Sequence, residues 1–225
     1  MPITGRALKD LVNSYIYNVG VLTLPLDEGV GTVAYDKSGL ASNGTLTGPT
    51  HLPTWGAGRF GTAVSLDGVD DYIDCGTPTG LNFTTQNFSL SAWVYPTKIS
   101  NTPYIFDKTL WTNYGYALQI TPTGRVQMGT VSAAGYLLTL SYAGDVALNG
   151  WYHIVAVRNG AAGKIYVNGT DRTETAPALV DLGSSAARSL RIGGTGEYLQ
   201  GVIDEIRIFS RALTQAEVTS LYVDW

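Results

Sequence analysis

The chain has 225 residues, within the range in which an all-β sandwich forms one domain. Charged residues are only 14% and the net charge is −4, which excludes the clustered Lys and Arg of a nucleic-acid interface. No apolar run approaches the ~20 residues that span a bilayer, so membrane insertion is excluded too, and the lone Cys75 excludes an intrachain disulfide.

Thr4 to Tyr17 reads as an amphipathic helix, with Leu8, Leu11, Val12, Tyr15 and Ile16 at helical spacing. So short a helix is marginal alone in water, so its apolar stripe packs either on its own domain or on another chain. The expectation taken forward is an arm over residues 1–20 that docks on copies of itself or on virion proteins. No charged start followed by an apolar run appears in this stretch, so no secretory signal is visible. The expected location is extracellular or on a virion surface.

Val21 to Leu26 begins the strands. Asp36 to Gly48 is a turn-rich loop, and Asp67 to Asp71 is a turn between the short strands Ala63–Leu66 and Tyr72–Asp74. Phe88, Leu90, Ala92 and Val94 alternate with Ser89, Ser91, Trp93 and Tyr95, and Pro96 is expected to end that pairing. Tyr116, Leu118 and Ile120 alternate with Ala117 and Gln119. Thr121-Pro122-Thr123-Gly124 then signals a hairpin returning through Arg125 to Met128. A further strand holds Trp151, His153, Val155 and Val157, and Asn159-Gly160 and Asn168-Gly169 supply tight turns. In the last strand, Val202, Asp204, Ile206 and Ile208 alternate with Ile203, Glu205, Arg207 and Phe209, so Asp204 is expected on an apolar face. Thr214 and Glu217 form a capping box for a short closing helix with Val218 and Leu221 on one side.

Several of these blocks resemble one family. Gly201 to Phe209 followed by Arg211-Ala212-Leu213-Thr214 is similar to the closing signature of laminin-G-like jelly rolls, within the concanavalin A-like lectin/glucanase superfamily. Leu26-Asp27-Glu28-Gly29 with Asp36-Lys37-Ser38-Gly39 resembles its opening. Gly58 to Ala63 with Leu66-Asp67-Gly68 and Asp71-Tyr72-Ile73 resembles its second block. Phe88 to Val94, Trp151 to Val157 and Ile165 to Gly169 resemble three more, all in the family's order. The resemblance implies an all-β, two-sheet antiparallel jelly roll over residues 21–225, flanked by a short N-terminal and a short C-terminal helix.

Related glucanases carry Glu-x-Asp-x-Glu on one strand, which places acid and nucleophile on one face. That motif is missing here, and neither His51 nor His153 has a convincing nucleophile partner, so the chain is expected not to be an enzyme. The family pattern suggests Asp36 and Asp204 as ligands for a structural calcium ion, with Ser38 and Asn43 completing an oxygen shell. Equally, Asp36 caps its own turn and Asp204 accepts backbone amides. A sugar surface combines aromatic platforms with amide and charged hydrogen-bonders. Trp111, Tyr114, Gln119, Arg125 and Tyr136 are the candidates, with Gln127, Arg158 and Lys164 on a polar sheet face. The expected function is a non-catalytic recognition or adhesion module for a glycan or a protein surface. The alternative is a structural virion component, a capsid decoration or fibre protein assembled through the arm.

Overall fold

The structure, a computed structural model, describes residues 20–110, 114–132 and 135–223. The arm with Leu8, Leu11, Val12, Tyr15 and Ile16, and Trp111, lie outside the described residues. Two antiparallel sheets form the sandwich. The smaller runs β14 (Thr170–Asp171), β13 (Ala162–Val167), β12 (Tyr152–Asn159), β7 (Phe88–Lys98), β17 (Gln200–Phe209), β5 (Thr62–Asp67) and β4 (Thr54–Ala57), with β1 (Gly20–Leu24) also paired to β17. The larger runs β15 (Thr173–Thr175), β11 (Gly135–Ser141), β10 (Val126–Ser132), β9 (Tyr114–Ile120), β8 (Tyr104–Leu110), β16 (Arg191–Ile192), β6 (Tyr72–Asp74), β3 (Gly44–Thr47) and β2 (Val33–Ala34). Helix α1 (Gln215–Val223) closes the chain. Among the described residues no helix is long and apolar enough to cross a membrane.

Period-two alternation fills the space between the sheets. Phe88, Leu90, Ala92 and Val94 of β7 share one buried cluster with Tyr116, Leu118 and Ile120 of β9 and Val126 and Met128 of β10. Phe83 stacks on Phe88 at 5.0 Å, and the Tyr116 hydroxyl donates to the Leu81 carbonyl at 3.0 Å, satisfying the one polar atom that ring brings in.

The last strand departs from strict alternation. Asp204 pairs with Trp93 and Arg207 with Ser91, so Glu205 and Ile206 together face the single residue Ala92. Glu205 has φ +52, the left-handed conformation of a β-bulge. The extra residue shifts the alternation: Ile203 before the bulge and Ile206 and Ile208 after it all join the inter-sheet core. Asp204 therefore does not share the face of Ile206 and Ile208, as strict alternation had it. It lies with Trp93 on the opposite face of the sheet.

That outer face is itself buried. Val155, Val157, Tyr166 and Phe209 form a second cluster with Leu213, Val218 and Leu221 from the closing segment. Glu217 Oε2 accepts the Thr214 amide at 2.9 Å and its hydroxyl at 3.0 Å, while Thr214 Oγ1 accepts the Glu217 amide at 3.3 Å. The capping box is therefore formed, and it fixes where α1 starts.

Two expectations change. Pairing does not stop at Pro96: β7 continues to Lys98, because Pro96 sits at a register irregularity opposite Gly201, where its missing amide breaks no ladder bond. Arg158 does not line a polar face either. It is 2% exposed, and its guanidinium donates to the carbonyls of Thr84, Gln86 and Val180 and to the Asp181 carboxylate at 3.0–3.2 Å, bolting two loops to β12.

Leu213 is 4% exposed in the second cluster, whereas Val223 on the same segment is 56% exposed. Leu213→Ala should cost about 2–5 kcal/mol in urea unfolding, and Val223→Ala no more than about 0.5 kcal/mol. Equal effects would show that α1 is not docked on the sheet.

Candidate functional site

The outer face of the larger sheet is built differently from that of the smaller. Among the described residues no helix covers it, and its middle is lined by residues too small to fill it. Ala117 on β9 pairs with Gly129 on β10, which in turn pairs with Leu138 on β11. Gly115 and Val131 continue the row. Into this trough lies Tyr136. A Cβ on Gly129 would stand 2.1 Å from the Tyr136 hydroxyl oxygen and 2.6 Å from Cζ, so only glycine lets the ring rest there. Tyr136 Oη donates to Gln119 Oε1 at 3.2 Å, yet the residue is 47% exposed, leaving part of the ring open to solvent. Burial of its hydroxyl end pushes the phenol pKa up, helped by the nearby Asp107 charge.

Gln119 is held from three sides. Its amide nitrogen donates to the Thr102 carbonyl at 3.0 Å, and its oxygen also accepts Gln127 Nε2 at 3.0 Å. Beside it are Tyr104, which pairs with Gln119, and Asp107, which pairs with Ala117. Asp107 Oδ1 accepts the amide and hydroxyl of Thr109 at 2.9 and 2.7 Å. Arg191 of β16 stands between Asp107 and Asp74, pairing with both. Its guanidinium carbon lies 4.4 Å from the centre of the Tyr72 ring, a cation–π contact.

Arg188 reaches the same place from the loop before β16. Its Nη2 is 3.7 Å from Asp107 Oδ2, and Arg191 Nε is 3.8 Å from Asp74 Oδ2. Those are ion-pair distances, too long for hydrogen bonds. Arg188 Nε and Nη2 and Arg191 Nε are buried without a hydrogen-bond acceptor among the described residues. Buried donors of this kind are rare and normally find a partner in water or a ligand. The loop is anchored from beneath: Lys108 Nζ donates to the Arg188 carbonyl at 2.6 Å. Burial, aided by Arg188, lowers the Lys108 pKa to about 8.

Of the expected ligand residues, the structure therefore brings Gln119 and Tyr136 together, with Gln127. Tyr114 has the parity of Tyr116 and packs against Gly183, away from this face. Arg125 is at the sheet rim in an ion pair with Glu174, and Lys164 pairs with Asp171 in the other sheet. Tyr104, Asp107, Arg188 and Arg191 were not anticipated. Tyr104 and Asp107 fall on one face because a register irregularity separates Tyr104 from Phe106, and a two-residue strand such as β16 has no periodicity to read.

The laminin G family model described as the concanavalin A-like lectin/glucanases superfamily matches residues 67–219. The chain belongs to that superfamily. Among solved structures it is similar to domain 4 of an extracellular GH43 arabinanase from Geobacillus stearothermophilus in complex with arabinotriose. The identity is 24% and the TM-score 0.70, covering 90% of this chain and 98% of that one. It is also similar to the binding domain of Paraclostridial Mosquitocidal Protein 1, at 17% identity and TM-score 0.74, covering 92% of this chain. A third is the botulinum neurotoxin serotype D ligand binding domain in complex with N-acetylneuraminic acid, at 18% and 0.71, covering 94% of this chain. The chain spans about half of each toxin domain, 52% in both cases. A search of curated protein sequences gives no match.

The calcium candidates of this superfamily member separate into two places. Asp36, Ser38 and Asn43 come together in one loop. Asp36 Oδ1 accepts the amides of Thr23 and Ser38, each at 2.9 Å, and Oδ2 accepts the Ser38 hydroxyl at 2.7 Å and the Ser42 amide at 3.0 Å. Asn43 Oδ1 accepts the Asp36 amide at 2.9 Å. Asp204 Oδ2 instead accepts the Phe60 amide at 3.0 Å, and burial raises its pKa to about 7. The two carboxylates share no hydrogen-bond partner among the described residues.

Asp204 belongs to a packed polar layer on the smaller sheet. There His153 Nε2 meets Ser91 Oγ at 3.0 Å, and Arg207 pairs with Glu205 at 3.0 Å. The Arg59 guanidinium lies 4.9 Å from the Trp93 ring, and Trp93 stacks on Tyr222 at 5.7 Å. Burial lowers the His153 pKa from 6.5 to about 3. Between those values the unfolded chain takes up a proton that the folded chain refuses, so His153 makes stability fall as pH drops below 6.5 and has no effect above it. The raised Asp204 acts in the opposite sense, so the effect of His153 is read as a difference between variants. His153→Gln should remove a slope of about 1.4 kcal/mol per pH unit between roughly pH 6 and 4 in urea unfolding. Parallel curves for the two proteins would show that His153 is free to protonate in the fold.

Proposed function

We propose that this chain is a non-catalytic recognition module that holds an oligosaccharide on the outer face of its larger sheet. One observation carries the reading: a half-exposed tyrosine lies in a trough of small residues, on the same sheet face as Asp107 and its arginine neighbours, whose buried donors lack hydrogen-bond acceptors among the described residues. A sugar ring has an apolar face that stacks on an aromatic ring and hydroxyls that accept from guanidinium and amide groups. Tyr136 supplies the platform, Gln119 fixes its angle, and Gln127, Arg188 and Arg191 supply the hydrogen bonds. Arabinotriose and N-acetylneuraminic acid in complexes of two similar domains support a sugar ligand. An extracellular setting is part of this reading.

The carboxylates of this face support binding rather than hydrolysis. Asp107 and Asp74 stand on opposite sides of Arg191, with their oxygens engaged by Thr109 and by the Gly76 amide. Each faces a guanidinium, Arg188 at Asp107 and Arg191 at Asp74, a partner that suits an ionised carboxylate rather than a general acid.

The test is a glycan panel including arabinotriose and sialylated oligosaccharides, followed by calorimetry with the best binder. Tyr136→Ala should weaken binding at least tenfold, about 1.4 kcal/mol. Gly129→Ala should do the same by displacing the ring while the fold persists, since the atom it strikes is the far end of a side chain. Unchanged affinity in both variants would move the ligand off this face.

A further inference from the structure

We infer that the turn between β5 and β6 is a calcium site formed by Asp67, Asp70 and Asp71. One carboxylate oxygen of each lies within 4.8 Å of the others. Oxygens that close can all reach one ion held at ~2.4 Å from each.

The turn uses only part of what these side chains offer. Asp67 Oδ1 accepts the amides of Val69 and Asp70 at 2.8 and 3.3 Å. Asp70 Oδ2 accepts the amide and hydroxyl of Thr50 at 3.1 and 2.5 Å. Asp71 Oδ2 accepts the Asp67 amide at 2.9 Å. Asp70 Oδ1 and Asp71 Oδ1 remain, both buried and without a donor among the described residues. Asp71 is only 3% exposed, so water does not serve it freely.

The surroundings add a further acceptor and no cation. A Cβ on Gly48 would stand 2.6 Å from Asp71 Oδ1 and 1.7 Å from the His51 carbonyl oxygen, so both oxygens lie close against Gly48. Among the described residues no Lys or Arg forms an ion pair with any of the three carboxylates. Burial and the charges of Asp67 and Asp70 together raise the Asp71 pKa. Three carboxylates that repel, one of them buried with an unserved oxygen, need a positive charge among them. The donors are all hard oxygens on turns, which suits calcium; magnesium demands stricter octahedral geometry and gives up its water reluctantly. A bound ion would tie the loop after β3 to the turn after β5.

This site is separate from the ligand face and from Asp36, whose oxygens already hold four donors. The test uses the full chain, stripped with chelator and titrated calorimetrically with calcium chloride, with magnesium chloride as comparator. One calcium per chain should bind, raise the melting temperature by several degrees and outcompete magnesium at least tenfold. Asp70→Asn and Asp71→Asn should each weaken calcium at least tenfold, and Asp36→Asn should leave it unchanged. Asp70→Asn keeps an acceptor for Thr50, so it remains folded and decides the matter if Asp71→Asn does not fold. The site is refuted if stripped protein shows neither heat nor a melting shift at about 5 mM calcium, above the range of extracellular calcium modules. Binding that survives in Asp70→Asn, or is lost in Asp36→Asn, refutes it equally.

Discussion

The bulge at Glu205 sets the direction of every side chain that follows it in β17. This strand is the central member of the smaller sheet, bonded to β7 along one side and to β5 and β1 along the other. Because the side-chain period is two, one extra residue exchanges the faces from that point on. Ile203 enters the core from one side of the bulge, and Ile206 and Ile208 from the other. Asp204 and Arg207, which strict alternation would set on opposite faces, both fall opposite the core. The sandwich thus has a second buried layer. Phe209 supplies its apolar end, beneath α1, and the polar end fills with Asp204, Glu205, Arg207 and His153.

The two outer faces diverge from there. The smaller sheet is roofed by α1 and by the segment holding Arg59 and Phe60, and its polar groups are packed against one another, with Trp93 Nε1, His153 Nδ1 and Asp204 Oδ1 left without a hydrogen-bond partner among the described residues. The larger sheet keeps an open face in which polar groups are positioned but incompletely partnered. Lys108 shows how position is secured without filling the face. It enters from the inner side, caps the carbonyls of Ser185 and Arg188, and leaves the Arg188 guanidinium on the outside. Asn82 grips the same loop through the Ser185 amide at 2.9 Å.

Much of this fold was legible before any coordinates. Alternation identified β7, β9, β12 and the ends of β17, and Thr214 with Glu217 marked the start of α1. Of the site, Gln119 was legible from the alternation of its strand, and Tyr136 only as an aromatic that suits a sugar platform. Bulges erased the rest. Glu205 adopts a conformation that Gly or Asn would have advertised, so nothing warned that Asp204 changes faces. The irregularity after Tyr104 hid its company with Asp107 in the same way. Arg158 looked like a surface residue because its partners are carbonyls of loops distant in sequence. Arg188 and Arg191 come from a loop and a two-residue strand, where only tertiary structure assigns a direction.

Both sheets end in very short strands. Among the described residues the outermost are β14 and β2 with two residues each, β15 with three, β4 with four and β1, bonded only to β17, with five. An edge this short offers a neighbouring molecule too few free amides and carbonyls to extend the sheet. Copies of this domain crowded together thereby find little backbone at these edges for strand-by-strand polymerisation.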